Sequence, residues 1–201
     1  MEAYIVKGYR SAVTKSKKGG FKNYRSDDLA VDVIKHLMES VNEITPKQVD
    51  DVIVGCANPE GEQGLQIGRL ISARSLGKEV AGITINRYCA SGLEAIALAV
   101  GKIKAGFGEI FIAGGAESMS MIPMGGYKPT PDYKTVNQGK EDYYWGMGLT
   151  AEAVAKQYSI SREDQDEFSY KSHMKALKAQ KEGRFDDQIV PIKVNQTYVD
   201  D

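Results

Sequence analysis

AGITINRYCASGLEAIALA, residues Ala81 to Ala99, changes its repeat in the middle. Ile83 and Ile85 alternate with polar Thr84 and Asn86, the two-residue repeat of a strand. Leu93, Ile96, Ala97 and Val100 then follow at helical spacing. Cys89 stands at the turn between the two patterns. A cysteine there meets the free backbone N–H groups and the positive dipole end of the following helix. That setting favours the thiolate, which is the nucleophilic form. Gly92 removes a side chain beside the sulfur and leaves room for a substrate. Free cysteine is also a common buried small hydrophobe, and this stretch alone leaves both readings of Cys89 open.

Working outward, Ala3 to Tyr9 reads as a first strand, with Tyr4 and Val6 on one face and Ile5 on the other. Ser11 to Arg25 is polar and reads as a loop. Ser26 is the expected N-cap of a helix whose apolar face carries Leu29, Val33, Ile34, Leu37, Met38 and Val41. His36 lies off that stripe and reads as solvated surface. Pro46 precedes a strand from Val49 to Cys56, whose apolar centre suits burial on both faces. Cys56 reads as a packing residue. A helix over Gln63 to Leu76 is expected to turn Leu65, Ile67, Leu70 and Ile71 inward, with Gly77 as its stop. The next strand is expected at Glu109 to Ala113, ending in Gly114 and Gly115.

Strand and helix alternate, so the fold class is α/β, with a mostly parallel sheet between helices. Active groups in such sheets gather at the carboxyl ends of the strands. Cys89 lies just past one such end and the GGAESMS segment past another, a convergence that favours a chemical role for Cys89. Met119 to Lys140 is rich in Pro, Gly and Tyr and reads as an excursion over the active-site face. Its apolar Met119, Met121, Ile122 and Met124 suit either a channel or loop packing. A short helix is expected over Leu149 to Tyr158, with Thr150 as cap. A second runs from about Arg162 to Lys181, capped by Ser161 and stopped near Gly183. His173 on that helix reads as solvated or packing. Gln188 to Val194 reads as an edge strand marked by Pro191.

Of 201 residues, 42% are apolar and 26% charged, enough for a globular core. A net charge of -1 gives no footing for nucleic acid. No apolar run reaches the roughly 18 residues of a membrane span, and the start MEAYIVKGYR lacks a secretory apolar region. Two cysteines make no disulfide framework and two distant histidines no metal cluster, so a reducing, cytoplasmic setting is expected.

The sequence resembles the thiolases, the acyl-CoA C-acyltransferase family, over nearly its whole length. INRYCASGLEAI (85–96) is similar to the family's N-x-x-C-x-S-G nucleophile block. IAGGAESMSMIP (112–123) is similar to its G-G-x-E-S-M-S-x-x-P block. GMGLTAEAVAKQYSISREDQDEFSYKSHMKAL (146–177) resembles the M-G-x-T-A-E segment and the I-S-R-E-D-Q-D run after it. GRFDDQIVPI (183–192) resembles the closing segment.

The resemblance implies a thiolase-like fold of two similar βαβαβαβ halves, with a part-helical loop domain over the coenzyme A entrance. In this chain, 1–118 would be the N-terminal half carrying the nucleophile, and 119–201 the start of the loop domain. The family's C-terminal half supplies N-E-A-F, G-H-P and C-x-G-x-G blocks, none of which occurs in this sequence. His36 and His173 sit in segments that do not match the histidine block. The expectation is therefore an N-terminal portion, inactive alone, with the missing C-terminal half as a partner.

By resemblance, Cys89 is the catalytic nucleophile, taking an acyl group from 3-oxoacyl-CoA in thiolysis or from acetyl-CoA in Claisen condensation. Met147 would lie near the acyl or pantetheine part of the substrate, with core packing as the alternative. Coenzyme A thioesters are implied as substrates, with no cofactor and no metal. A homo-oligomer and a place in fatty acid β-oxidation are implied too. Glu117 is expected to be a buried structural carboxylate. Another condensing enzyme of the superfamily, such as a 3-oxoacyl synthase, and a non-catalytic interaction half are the alternatives. The SMS and M-G-x-T-A-E blocks argue against the former.

Overall fold

The computed structural model describes residues 2–195. Residue 1 and residues 196–201, the outer ends of the two expected domains, lie outside them. The described residues up to Tyr127, together with those from Gln188 onward, form one compact unit, and Lys128–Asp187 form a second.

The first unit is built on three parallel strands, β1 (Asp51–Gly55), β2 (Ala81–Ile85) and β3 (Phe111–Gly115), in the order β2-β1-β3. All of β1 is buried. Its side chains alternate between two cores, as strand geometry requires. Val52 and Val54 face α1 (Ser26–Glu39) and α2 (Ile67–Ser75), among Val31, Ile34, Ile67 and Ile71. Ile53 faces α3 (Ser91–Ala105), against Ala95 and Ala99. The result is a three-layer α/β/α arrangement, as the alternating pattern predicts.

Several boundaries move. Ala3 to Tyr9 forms no strand. Tyr4, Ile5 and Val6 are exposed, and regular pairing reaches only an isolated bridge between Arg10 and Ile189. An apolar alternation makes a strand only where a ladder partner is within reach. Here a cleft of about 440 Å³ lies along β3 and α1, lined by Tyr9, Arg10, Leu29, Val33 and Phe111 among others. Gln188 to Val194 likewise forms that bridge rather than an edge strand. Ser26 is the first helical residue and not the cap; the cap is Arg25, with no capping side chain. The first turn is anchored instead by Asp27, whose side chain is only 2% exposed and takes ion pairs from Arg25 at 2.9 Å and Arg74 at 2.8 Å.

α2 starts later than the apolar pattern suggests. Leu65 and Gln66 take positive φ angles of 51° and 61°, so the helix begins at Ile67. Its buried face is Ile67, Gly68, Ile71 and Ser72, which leaves Leu65 and Leu70 exposed. β3 lies two residues beyond its expected place and includes both Gly114 and Gly115, paired with Val54 and Gly55.

The second unit holds α4 (Tyr133–Asn137), α5 (Met147–Gln157) and α6 (Arg162–Lys181). Ser161 caps α6 and exchanges bonds with Asp164, as the sequence predicts. Thr150 is inside α5 and not at its start; the cap is Gly146. No residue of these three helices is buried. No described helix is long and apolar enough to cross a membrane.

Candidate active site

β2 ends at Ile85 and α3 begins at Ser91, so five residues connect them, with Cys89 among them. The chain reverses by holding Tyr88 at φ 47°, a left-handed conformation that is strained for a bulky residue. Side chains fix it there. Asn86 Oδ1 accepts from the Tyr88 N–H at 2.8 Å. The buried Ser91 hydroxyl accepts from the Arg87 N–H at 2.8 Å and donates to the Tyr88 carbonyl at 2.6 Å. Arg87 and Glu94 close the outside of the turn with two bonds at 2.8 and 3.0 Å. Ser91 therefore shapes the helix start.

The turn leaves Cys89 exposed just before the first turn of α3. α3 therefore turns its N-terminal, positive dipole end toward the turn that carries Cys89. A methyl group at Gly92 would meet nothing within 4 Å, so the space next to the turn is open.

The other singled-out residues separate. Met147 opens α5 in the second unit, exposed rather than packed in a core. His36 is half-buried edge-on to Tyr9 at 4.7 Å, not simply solvated, and His173 is exposed on α6. Neither histidine lies in the turn that carries Cys89. Among the described residues no group of three or more His, Cys, Asp or Glu is placed to hold a metal ion. Glu117 is exposed rather than buried, yet both of its oxygens are bound by neighbouring segments. Gln63, which sequence reading does not single out, is wholly buried at the centre of those bonds. In a loop of polar residues nothing marks it; burial alone does. Asn86 carried a legible signal, as the polar residue that ends an apolar alternation three positions before Cys89.

Cys56 is only 1% exposed and packs in the core, as its place at a strand end predicts. Burial, and then the Glu117 charge, push its thiol up to about 11. A free thiol titrates at ~8.5. The unfolded chain therefore loses this proton first, and Cys56 is a source of stability that is full below about pH 8.5 and lost as the pH rises toward 11. Iodoacetamide at pH 8 is expected to label Cys89 and spare Cys56 in the folded chain, and to label both in urea. Peptide mass mapping reads the difference; equal labelling of both in the folded chain would contradict this placement.

A parallel three-layer sheet with an exposed cysteine on a strand-to-helix turn, at the carboxyl end of its strands, defines an α/β protein with a thiol presented at its ligand-facing edge. The chain belongs to the thiolase family: residues 3–201 match the family model described as "Thiolase, N-terminal domain". It is 47% identical over 199 residues to a 3-ketoacyl-CoA thiolase of Bacillus subtilis, covering 98% of this chain and 50% of that one. It is 39% identical over 194 residues to the 3-ketoacyl-CoA thiolase of Marinobacter nauticus, covering 96% and 49%. A 3-ketoacyl-CoA thiolase of Acinetobacter baylyi matches at 40% over 194 residues, with the same coverage. The chain thus spans about half the length of the curated relatives it matches.

Proposed function

We propose that this chain is the nucleophile-bearing portion of an acyl-CoA C-acyltransferase of the 3-ketoacyl-CoA thiolase type, with Cys89 as the acyl carrier. The exposed thiol of Cys89 at the start of α3, beside the open space at Gly92, supports the reading most directly. In thiolysis the Cys89 thiolate attacks the 3-oxo carbonyl of a 3-oxoacyl-CoA. The S–C bond forms, the bond between carbons 2 and 3 breaks, and the acetyl-CoA enolate leaves and takes a proton. The thiolate of a second coenzyme A then attacks the acyl-Cys89 thioester, releasing the shortened acyl-CoA and the free cysteine. Splitting one difficult step into two is what a covalent nucleophile contributes. N–H groups at the start of α3 are the donors we assign to the developing oxyanion. Met147 contacts the acyl or pantetheine portion of the substrate. Coenzyme A and its thioesters are the small molecules the chemistry requires.

Deprotonating Cys89 and protonating the leaving carbon need a base and an acid. Neither a G-H-P nor a C-x-G-x-G block occurs in this sequence. The chain alone therefore turns over little, and full activity needs a second polypeptide segment that supplies them. We place the activity in cytoplasmic fatty acid degradation and in a homo-oligomeric assembly. Incubation with acetyl-CoA followed by intact-mass and peptide mass spectrometry tests the core of this. The expected result is a 42 Da acetyl adduct, about one per chain, on Cys89 in the parent and none in Cys89→Ala. Acetyl transfer from acetyl-CoA to Cys89 expels the coenzyme A thiolate and leaves no carbon to protonate, so at mildly alkaline pH it proceeds slowly without the missing base and acid; an adduct that persists in Cys89→Ala, or never forms in the parent, would overturn the assignment.

A further inference from the structure

Three strand ends meet in one hydrogen-bonded cluster. Gln63, from the 3₁₀ turn Gly61–Gln63 after β1, is wholly buried. Its amide nitrogen donates to Glu117 Oε1, to the Asn58 carbonyl at 2.9 Å and to Cys56 Sγ at 3.4 Å. Its oxygen accepts from the Ser118 N–H, just after β3. Glu117 Oε2 accepts from the Ala57 N–H at 2.6 Å. The Ala57 carbonyl in turn accepts from Asn86 Nδ2 at 3.0 Å. Asn86 Oδ1 takes the Tyr88 N–H, immediately before Cys89.

We propose that Gln63 and Glu117 are positioning residues for Cys89. They act through Ala57 and Asn86 on the strained backbone at Tyr88. The inference rests on the reading of Cys89 as nucleophile, since only then does its placement matter to a reaction. A cluster that merely tied loops together would need no connection to strained backbone. This one ends on a left-handed tyrosine, a conformation that persists only where its surroundings over-determine it. Glu117 accepts from two points of the loop after β1, the Ala57 N–H and the Gln63 amide, so one side chain ties the β3 loop to the β1 loop twice. Asn86 is likewise bonded at both ends of its amide. Loss of any member frees the next. Relaxation of Tyr88 toward ordinary φ then swings Cys89 away from the start of α3.

The experiment measures the rate of Cys89 carbamidomethylation by iodoacetamide in the whole chain, with peptide mapping to separate it from Cys56, alongside thermal melts. Glu117→Ala is expected to slow Cys89 labelling roughly tenfold, the scale of a displacement well under an ångström. Glu117→Gln keeps one carbonyl acceptor for Ala57 or Gln63 and is expected to recover most of the rate. Gln63→Ala should slow labelling similarly, and the Gln63→Ala, Glu117→Ala double variant less than the product of the two effects, because both act through one connection. Asn86→Asp keeps the acceptor for Tyr88 and loses the donor to Ala57. It should therefore make Cys89 labelling insensitive to Glu117→Ala.

Unchanged Cys89 labelling in a folded Glu117→Ala chain with a lowered melting temperature would overturn the proposal, leaving a structural tie only. So would slowing that Glu117→Gln fails to reverse while the Asn86→Asp chain still responds to Glu117→Ala. Acetyl transfer from acetyl-CoA is followed in the same samples. If labelling responds as stated and no acetyl-Cys89 forms, the nucleophile reading fails and the positioning stands. The reverse pattern fails the positioning alone.

Discussion

A Gly68→Ala chain is expected to melt roughly 10 °C below the parent. Gly68 lies in the first turn of α2, where the helix backbone rests directly on β2. A methyl group there would stand 2.2 Å from the Ile83 carbonyl oxygen and 2.5 Å from its carbon. Both are main-chain atoms of a paired strand, so neither can swing aside as a long side chain would. Relief requires the whole helix start to lift. That movement breaks the bond from the Gly68 N–H to Thr84 Oγ1 at 2.9 Å, and the bond from the Thr84 N–H to Gln66 Oε1 at 2.9 Å. It also opens the contact between Gly82 and the Gly68 carbonyl. Overpacking typically costs about 1–3 kcal/mol and more where the blocking atoms cannot yield; a main-chain clash at 2.2 Å belongs above that range, at about 4 kcal/mol. The better helix propensity of alanine offsets at most about 1 kcal/mol, and a net loss of about 3 kcal/mol gives the stated shift.

Gly101→Ala is the control. It sits within α3, where an added methyl meets nothing within 4 Å, so the same substitution should stabilise by up to about 1 kcal/mol. Two melts decide the matter. If Gly68→Ala melts with the parent, α2 does not rest on β2 as described.

That contact also explains which parts of the fold were legible. A search for apolar periodicity finds the helices, because Ile67 and Ile71 recur at the right spacing. It misjudges which way they turn, because close approach of backbone to backbone selects glycine and serine. Gly68 and Ser72 carry no hydrophobic signal, yet they are buried, and Leu65 and Leu70 are left outside. α3 repeats the lesson: its sheet face is Ser91, Ala95 and Ala99, while Leu93 and Ile96 are exposed. The same cause shifts β3 onto Gly114 and Gly115. Glycine weakens a strand in isolation, but it belongs where another backbone comes close, and Gly115 lies against the Gly55 carbonyl and Gly92.

The place of Cys89 at an exposed strand-to-helix turn was legible because its signal is local: a change of period with a cysteine at the junction. Gln63 and Glu117 were not, because their meaning lies in partners 54 residues apart along the chain. The Ala3 to Tyr9 alternation failed for the related reason that a strand is defined by a neighbour the local sequence does not contain.

Gly55→Ala joins stability to the thiol. Gly55 is the last residue of β1, and a methyl there would stand 2.5 Å from the Ser91 carbonyl carbon, 2.6 Å from its oxygen and 2.7 Å from its Cβ. To accommodate it, the start of α3 must move outward by about an ångström to reach ordinary van der Waals separation. Ser91 is the residue that holds Arg87 and Tyr88 in the turn, so the displacement passes directly to Cys89. The expected cost in stability is about 2–3 kcal/mol. Labelling of Cys89 should slow as well, because the sulfur leaves the positive end of α3 that favours its reactive thiolate. Ser91→Ala separates push from pull. It removes the hydroxyl that bonds Arg87 and Tyr88 but adds no bulk, so it should lose about 1–3 kcal/mol with a smaller fall in Cys89 labelling than Gly55→Ala. If Ser91→Ala slows iodoacetamide as much as Gly55→Ala does, the hydroxyl bonds alone set the turn, and the close contact at the end of β1 has no separate part in placing the sulfur.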